Sequence, residues 1–236
     1  MTDLSRKEIW KMFDTISPTY DRVNRWMTFG LDLYWRGKMA SFLPLGKNLM
    51  LLDCATGTAD QALSLLQKSP HIDKIVGIDL SEEMLLQAKK KIQKTAFANK
   101  IELKTASALE IPYADETFHC VTISFGIRNV VDVNACLKEI LRVLKPGGKA
   151  LILETSLPEN KLLQKMHGMY LQKILPRIGG WISKQKSAYD YLHQTAESFP
   201  SGNTFCELLQ KAGFDKTSCN PLTLGVVSIY EAGKRL

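Results

Sequence analysis

Between residues 49 and 154 short apolar runs alternate with stretches of helical periodicity. Leu49–Asp53 is an apolar run ending in an acid, as a strand buried on both faces would be. Thr58–Lys68 follows with helical spacing, and Lys74–Asp79 reads as a second strand. Ser81 then stands where a helix cap is expected, with Glu82 and Glu83 in the first turn. Met84, Leu85, Ala88 and Ile92 give that helix one apolar face. Ile101–Ala106 and His119–Phe125 predict two more strands. After the candidate cap Asp132, Leu137, Ile140, Leu141 and Leu144 repeat at helical spacing. Leu144–Gly148 reads as the helix stop, and Lys149–Glu154 as a fifth strand. Such alternation implies a parallel sheet covered by helices on both faces.

The flanks differ from this core. Residues 1–47 read as amphipathic helix loaded with aromatics (Trp10, Phe13, Tyr20, Trp26, Phe29, Trp35), broken at Ser17-Pro18 because the residue before proline disfavours the α region. Residues 157–212 read as helical, and Ser218–Asn220 and Thr223–Gly233 as closing strands, with a reversed final hairpin. The organisation expected is one domain over 1–236: an N-terminal helical lid (1–47), a cofactor-binding core (48–156), a helical insertion (157–200) and a C-terminal helix with strands (201–236).

Composition narrows the compartment more than the chemistry. Hydrophobic residues make up 45% and charged residues 23%, ordinary for a globular protein. The formal net charge of +7 suits an anionic ligand, an anionic membrane or nucleic acid, and equally plain solubility. Five cysteines show neither a C-x-x-C pair nor zinc spacing, so reduced thiols in a cytoplasmic protein are expected. The four histidines form no ligand spacing, and no metal is assigned. The first residues lack the apolar run of a secretory signal, and no stretch reaches the ~18 apolar residues of a membrane span. Any membrane contact is therefore peripheral. One candidate is 159–190, with six Lys/Arg against two acids and many apolar positions. An ordinary core-facing helix with a solvated basic face reads the same way.

The chemistry-bearing motif is Asp53-Cys54-Ala55-Thr56-Gly57-Thr58-Ala59-Asp60, between the first strand and the first core helix. Small residues there let the backbone approach a ligand, and the helix N-terminus favours an anion such as a carboxylate. Asp79 ends the second strand, where nucleotide-binding folds place an acid against ribose hydroxyls. NAD is a competitor for this site, since Gly57, Ala59 and Ala62 can mimic G-x-G-x-x-A. Ser107-Ala108 after the third strand suits the adenine contacts of a methyltransferase, while Leu144-Lys145-Pro146-Gly147-Gly148, a turn frequent in methyltransferases, is foremost a helix stop and informs the fold more than the chemistry.

Longer signatures sharpen this. Tyr20-Asp21-Arg22-Val23-Asn24 through Thr28-Phe29-Gly30 and Trp35, Thr122–Asn129, and Arg142–Gly148 with Glu154-Thr155-Ser156 resemble the ubiquinone/menaquinone-biosynthesis C-methyltransferase family. The resemblance spans nearly the whole chain. It implies a Rossmann-like S-adenosylmethionine-dependent methyltransferase with a mostly parallel seven-stranded sheet and a helical lid. It implies cofactor contacts at Gly57, Thr58, Asp79, Ser107, Ala108 and Ser124. The reaction implied is C-methylation of a polyprenyl quinol, demethylmenaquinol first, with a 2-methoxy-6-polyprenyl-1,4-benzoquinol as the alternative. Another small molecule, RNA, or a non-catalytic scaffold role stays open beside these. No N/D-P-P-Y/F motif follows the fourth strand, which argues against nucleic acid. A homodimer is compatible with the family.

Arg128 is the catalytic candidate. Its guanidinium would stabilise a phenolate or orient a water, although it can equally brace the lid by pairing with an acid. Tyr20 and Asn129 are candidates for the ring oxygens. The sequence departs from the family at Val23, Thr28, Asp32, Ala59, Ser107 and Ala150. Of these, Asp32 puts most in question at the lid, and Ala59 is harmless if its φ is negative.

Overall fold

The computed structural model describes residues 9–158, 160–169, 195 and 198–236. Three short helices, α1 (Ile9–Ile16), α2 (Tyr20–Met27) and α3 (Leu31–Lys38), precede the core, with the break at Ser17-Pro18 where the sequence places it. Then come β1 (Leu49–Cys54), α4 (Asp60–Lys68), β2 (Ile72–Asp79), α5 (Glu82–Ile92), β3 (Ile101–Thr105), β4 (Phe118–Ser124), α6 (Val133–Val143) and β5 (Leu144–Thr155). The chain continues through α7 (Lys161–Met169), α8 (Asn203–Lys211), β6 (Lys216–Leu222) and β7 (Val227–Gly233).

The seven strands lie in the order β3-β2-β1-β4-β5-β7-β6, and β7 alone runs against its neighbours, as the expected reversed hairpin. Strand alternation explains the two covered faces. Leu52 and Cys54 of β1 point into one apolar cluster with α6 and α8, while Leu49 and Leu51 point into the other with α3 and α4. Both expected caps form: Ser81 Oγ accepts from the Met84 N–H at 3.1 Å, and an Asp132 carboxylate oxygen from the Ala135 N–H at 2.9 Å.

α6 ends at Val143, as the Leu144–Gly148 stop predicts, but the strand begins earlier than Lys149: Leu144 already pairs with Phe118, and Lys149 with Cys120, so the intervening residues bulge within β5. Most of the 159–190 segment lies outside the described residues. Within them, no helix is long and apolar enough to cross a membrane. All five cysteines are free thiols. Cys54, Cys120 and Cys136 are buried, and Cys206 and Cys219 are half-buried. His119 is structural, its Nδ1 accepting from the Met50 N–H at 2.9 Å.

Candidate active site

Strand order reverses between β1 and β4, and the crevice beyond the carboxyl ends of the strands opens there. A cavity of about 320 Å³ occupies it. The first four strands contribute to its wall near their ends: Ala55 and Gly57 after β1, Asp79 of β2, Ser107 and Ala108 after β3, Ser124 of β4. The N-terminal helices close it with Ile9, Trp10, Phe13 and Tyr20.

The glycine-rich turn is held from below by Asp53. Its oxygens accept from the Thr56 and Thr122 hydroxyls, each at 2.6 Å. Burial still pushes the Asp53 carboxyl up to about 6. Gly57 has a φ of 55°, and its N–H donates to Asp79 Oδ2 at 2.8 Å. The Ser81 N–H donates to the other Asp79 oxygen at 2.9 Å. Burial raises the Asp79 carboxyl above its ordinary range despite these donors. Gly126 is required for a second reason: a Cβ there would meet the Cβ of Ala55 at 2.6 Å.

Of the six expected cofactor contacts, Gly57, Asp79, Ser107, Ala108 and Ser124 line the cavity. Thr58 is turned elsewhere. Its hydroxyl donates to Asp21 Oδ1 at 2.6 Å and accepts from Lys91 Nζ at 3.0 Å. Arg128 lies outside the cavity lining, in a buried ion pair with Glu154 at 2.5 Å. Its Nε and the second Glu154 oxygen have no partner. The next residue, Asn129, does reach the cavity, and its Oδ1 is buried without a hydrogen bond. Tyr20 lines the cavity too, edge-on to Phe13 with ring centroids 6.0 Å apart.

A charged cluster that spacing did not reveal locks α2 and α3 to the core. Lys91 bonds Asp21 at 2.5 Å and Asp60 at 2.6 Å, and Arg25 bonds Asp60 and Asp32. Burial opposes ionisation of Asp60, but Lys91, Arg36 and Arg25 together hold it below its ordinary value. Asp32, the departure that put most in question at the expected lid, is thus built into the N-terminal helices, also accepting from the Thr28 hydroxyl at 2.9 Å. Ala59 does not have the negative φ under which its extra methyl is harmless: its φ is 64°.

Residues 1–234 match the ubiE/COQ5 methyltransferase family. The chain belongs to that family. The family decides against NAD and bears out the resemblance read from the motifs. Among ubiE/COQ5 relatives, the Geotalea daltonii protein named ubiquinone/menaquinone biosynthesis C-methyltransferase UbiE is 42% identical over 228 residues, covering 97% of each chain. A Chlorobaculum parvum protein named demethylmenaquinone methyltransferase is 42% identical over 234 residues, 98% of this chain and 94% of the relative. The fold itself matches a Thermotoga maritima SAM-dependent methyltransferase, described as a possible histamine N-methyltransferase. The TM-score is 0.67 at 19% identity, over 96% of this chain and all (100%) of that one.

Proposed function

We propose that this chain transfers a methyl group from S-adenosylmethionine to a ring carbon of a polyprenyl quinol, with demethylmenaquinol as the first substrate. The observation that carries this reading is the whole-length likeness to relatives named for that reaction, on a chain whose cavity has the matching parts. Relatives named for both ubiquinone and menaquinone biosynthesis make the benzoquinol precursor the second reading.

The residues suit the cofactor. Asp79 is a buried carboxylate at the cavity wall, suited to accept from two ribose hydroxyls, and Ala106 and Ala108 leave room for a flat base. Bound there, S-adenosylmethionine supplies an electrophilic methyl carried on a sulfonium. The chain's own task is to present a ring carbon to it and to favour the phenolate that makes that carbon nucleophilic. Ile9, Trp10, Phe13 and Met84 form an apolar wall that excludes water. Asn129 Oδ1, an acceptor without a partner, takes a ring hydroxyl. Arg128, one residue away, adds positive charge behind it, held in place by Glu154. Arg128 in this reading acts as a positioning and electrostatic residue.

A polyprenyl tail must be drawn from a bilayer, and one surface fits that task. The α2–α3 turn exposes Trp26 (62%) and Phe29 (78%), with Leu31, Leu33 and Tyr34 beside them. Phe29 holds this position with a left-handed φ of 53°. Lys38 and Lys68 line the adjoining groove with Leu33 and Tyr34. The acids of α2 and α3 are all turned inward to Lys91 and Arg25. An aromatic surface edged with lysine is that of a protein resting on an anionic membrane.

The test is methyl transfer from labelled S-adenosylmethionine to demethylmenaquinone, with and without a reductant that makes the quinol. Transfer under reducing conditions alone is expected. Equal transfer to the oxidised ring would refute phenolate activation. Transfer to the benzoquinol precursor alone would move the reading to ubiquinone.

A further inference from the structure

Arg36 is a buried cation that forms no ion pair among the described residues. It leaves α3 on the core side and is only 7% exposed. Every acid around it is engaged elsewhere. Asp32 pairs with Arg25, Asp60 with Lys91 and Arg25, and both Asp53 oxygens accept threonine hydroxyls. Among the described residues the Arg36 guanidinium has no ion pair, and its Nε has no hydrogen-bond partner. The guanidinium carbon lies 5.3 Å from the centroid of the Phe125 ring. A largely buried guanidinium whose charge reaches Asp53 and Asp60 but which pairs with neither keeps donors for a further anion.

The surroundings say which anion. Phe125 and Ser124 form the cavity wall at the β4 end, and Asp79, Ser107 and Ala108 form it at the β2 and β3 ends. The Gln61 side chain ties Arg36 to the first of these. Its Nε2 donates to the Arg36 carbonyl at 3.3 Å, and its Oε1 accepts from the Ser124 hydroxyl at 2.9 Å. The positive charge also reaches the acids that bracket the glycine-rich turn, drawing both Asp53 and Asp60 downward. A nucleoside whose ribose meets Asp79 would extend its aliphatic arm toward Ser124 and Phe125. Of the groups on S-adenosylmethionine, the methionine carboxylate is the anion at the end of that arm.

We propose that Arg36 binds the methionine carboxylate of S-adenosylmethionine, with Phe125 as the ring against which the guanidinium is held. This rests on the reading that the cavity takes that cofactor. It adds to the glycine-rich turn a charged anchor from the N-terminal helices.

The experiment is calorimetric binding of two nucleosides, S-adenosylhomocysteine, which has the carboxylate, and 5′-methylthioadenosine, which lacks it. In Arg36→Gln the first should bind about 10- to 100-fold more weakly, the loss of a charge-assisted contact, and the second within about twofold of wild type. Equal loss for both nucleosides would make Arg36 a brace for the lid and overturn the proposal, as would no loss for either. Wild-type protein gives the same answer without relying on a variant's folding: the carboxamide of S-adenosylhomocysteine should bind at least about tenfold more weakly than the acid, and equal binding overturns the proposal. If wild type binds none of these nucleosides, the cofactor reading falls and Arg36 with it. That outcome is distinct from the others.

Discussion

At Ala59 the backbone is left-handed, with a φ of 64°, and the side chain is fully buried. A Cβ in that conformation costs roughly 1 kcal/mol. Ala59→Gly should therefore raise stability by about 1 kcal/mol, read as a higher urea midpoint with unchanged slope. A lower midpoint would show that the methyl packs better than the backbone suffers. The sequence placed a small residue here and could not give the sign of φ, because the turn's conformation is set by Asp53 and Asp79 beneath and beside it. The same limit explains the other site residues. Gly57, Asp79, Ser107, Ala108 and Ser124 lie at or just beyond strand ends, and strand ends in this topology face the crevice. Thr58 and Arg128 take their directions from Asp21 and Glu154, remote in sequence, and no local spacing predicts such partners.

Among elements, the ion pair of Arg128 with Glu154 joins the turn after β4 to the end of β5. Glu154 also accepts from the Thr155 N–H at 2.7 Å. Removing one partner of a buried pair strands the other charge, so Arg128→Met alone should cost about 3 kcal/mol. Arg128→Met with Glu154→Leu should recover most of that loss by denaturant melts while turnover stays low. Recovered turnover in the double variant would reduce Arg128 to a brace between strands. The sequence predicted both of these strands from their apolar runs, and missed the bulge of Lys145–Gly148 inside β5 because proline and glycine end helices more often than they interrupt strands. The N-terminal helices were legible from the amphipathic, aromatic-rich pattern and the Ser17-Pro18 break. The carboxylate–lysine–arginine cluster that fastens them was not, since it draws on α2, α3, α4 and α5 at once.

For the molecule as a whole, the net charge of +7 suits an anionic partner surface and plain solubility alike, and places no such surface. The sequence looked for one in 159–190. Most of that segment lies outside the described residues, and the membrane surface we propose is the α2–α3 turn, where Trp26 and Phe29 stand out in solvent. The protein should sediment with vesicles containing phosphatidylglycerol and much less with purely zwitterionic ones. Trp26→Ser with Phe29→Ser should weaken that binding about tenfold or more at constant salt, since each loses a large apolar area. Full binding by this variant would place the contact elsewhere. Neither side chain packs in the core, so the fold should tolerate both changes.

The buried thiols have a bearing on the proposed substrate. Burial raises the Cys54 and Cys120 thiols well above their ordinary value and pushes Cys136 up to about 12, and partial burial raises Cys206. Only a thiolate attacks carbon readily. When a quinol with an open ring position loses two electrons, that carbon turns from methyl acceptor into an electrophile that captures sulfur. Cys54 sits next to Ala55 in the cavity wall, yet it stays protonated and sealed beneath the sheet. The thiol nearest the cavity is thereby kept from capturing an oxidised ring.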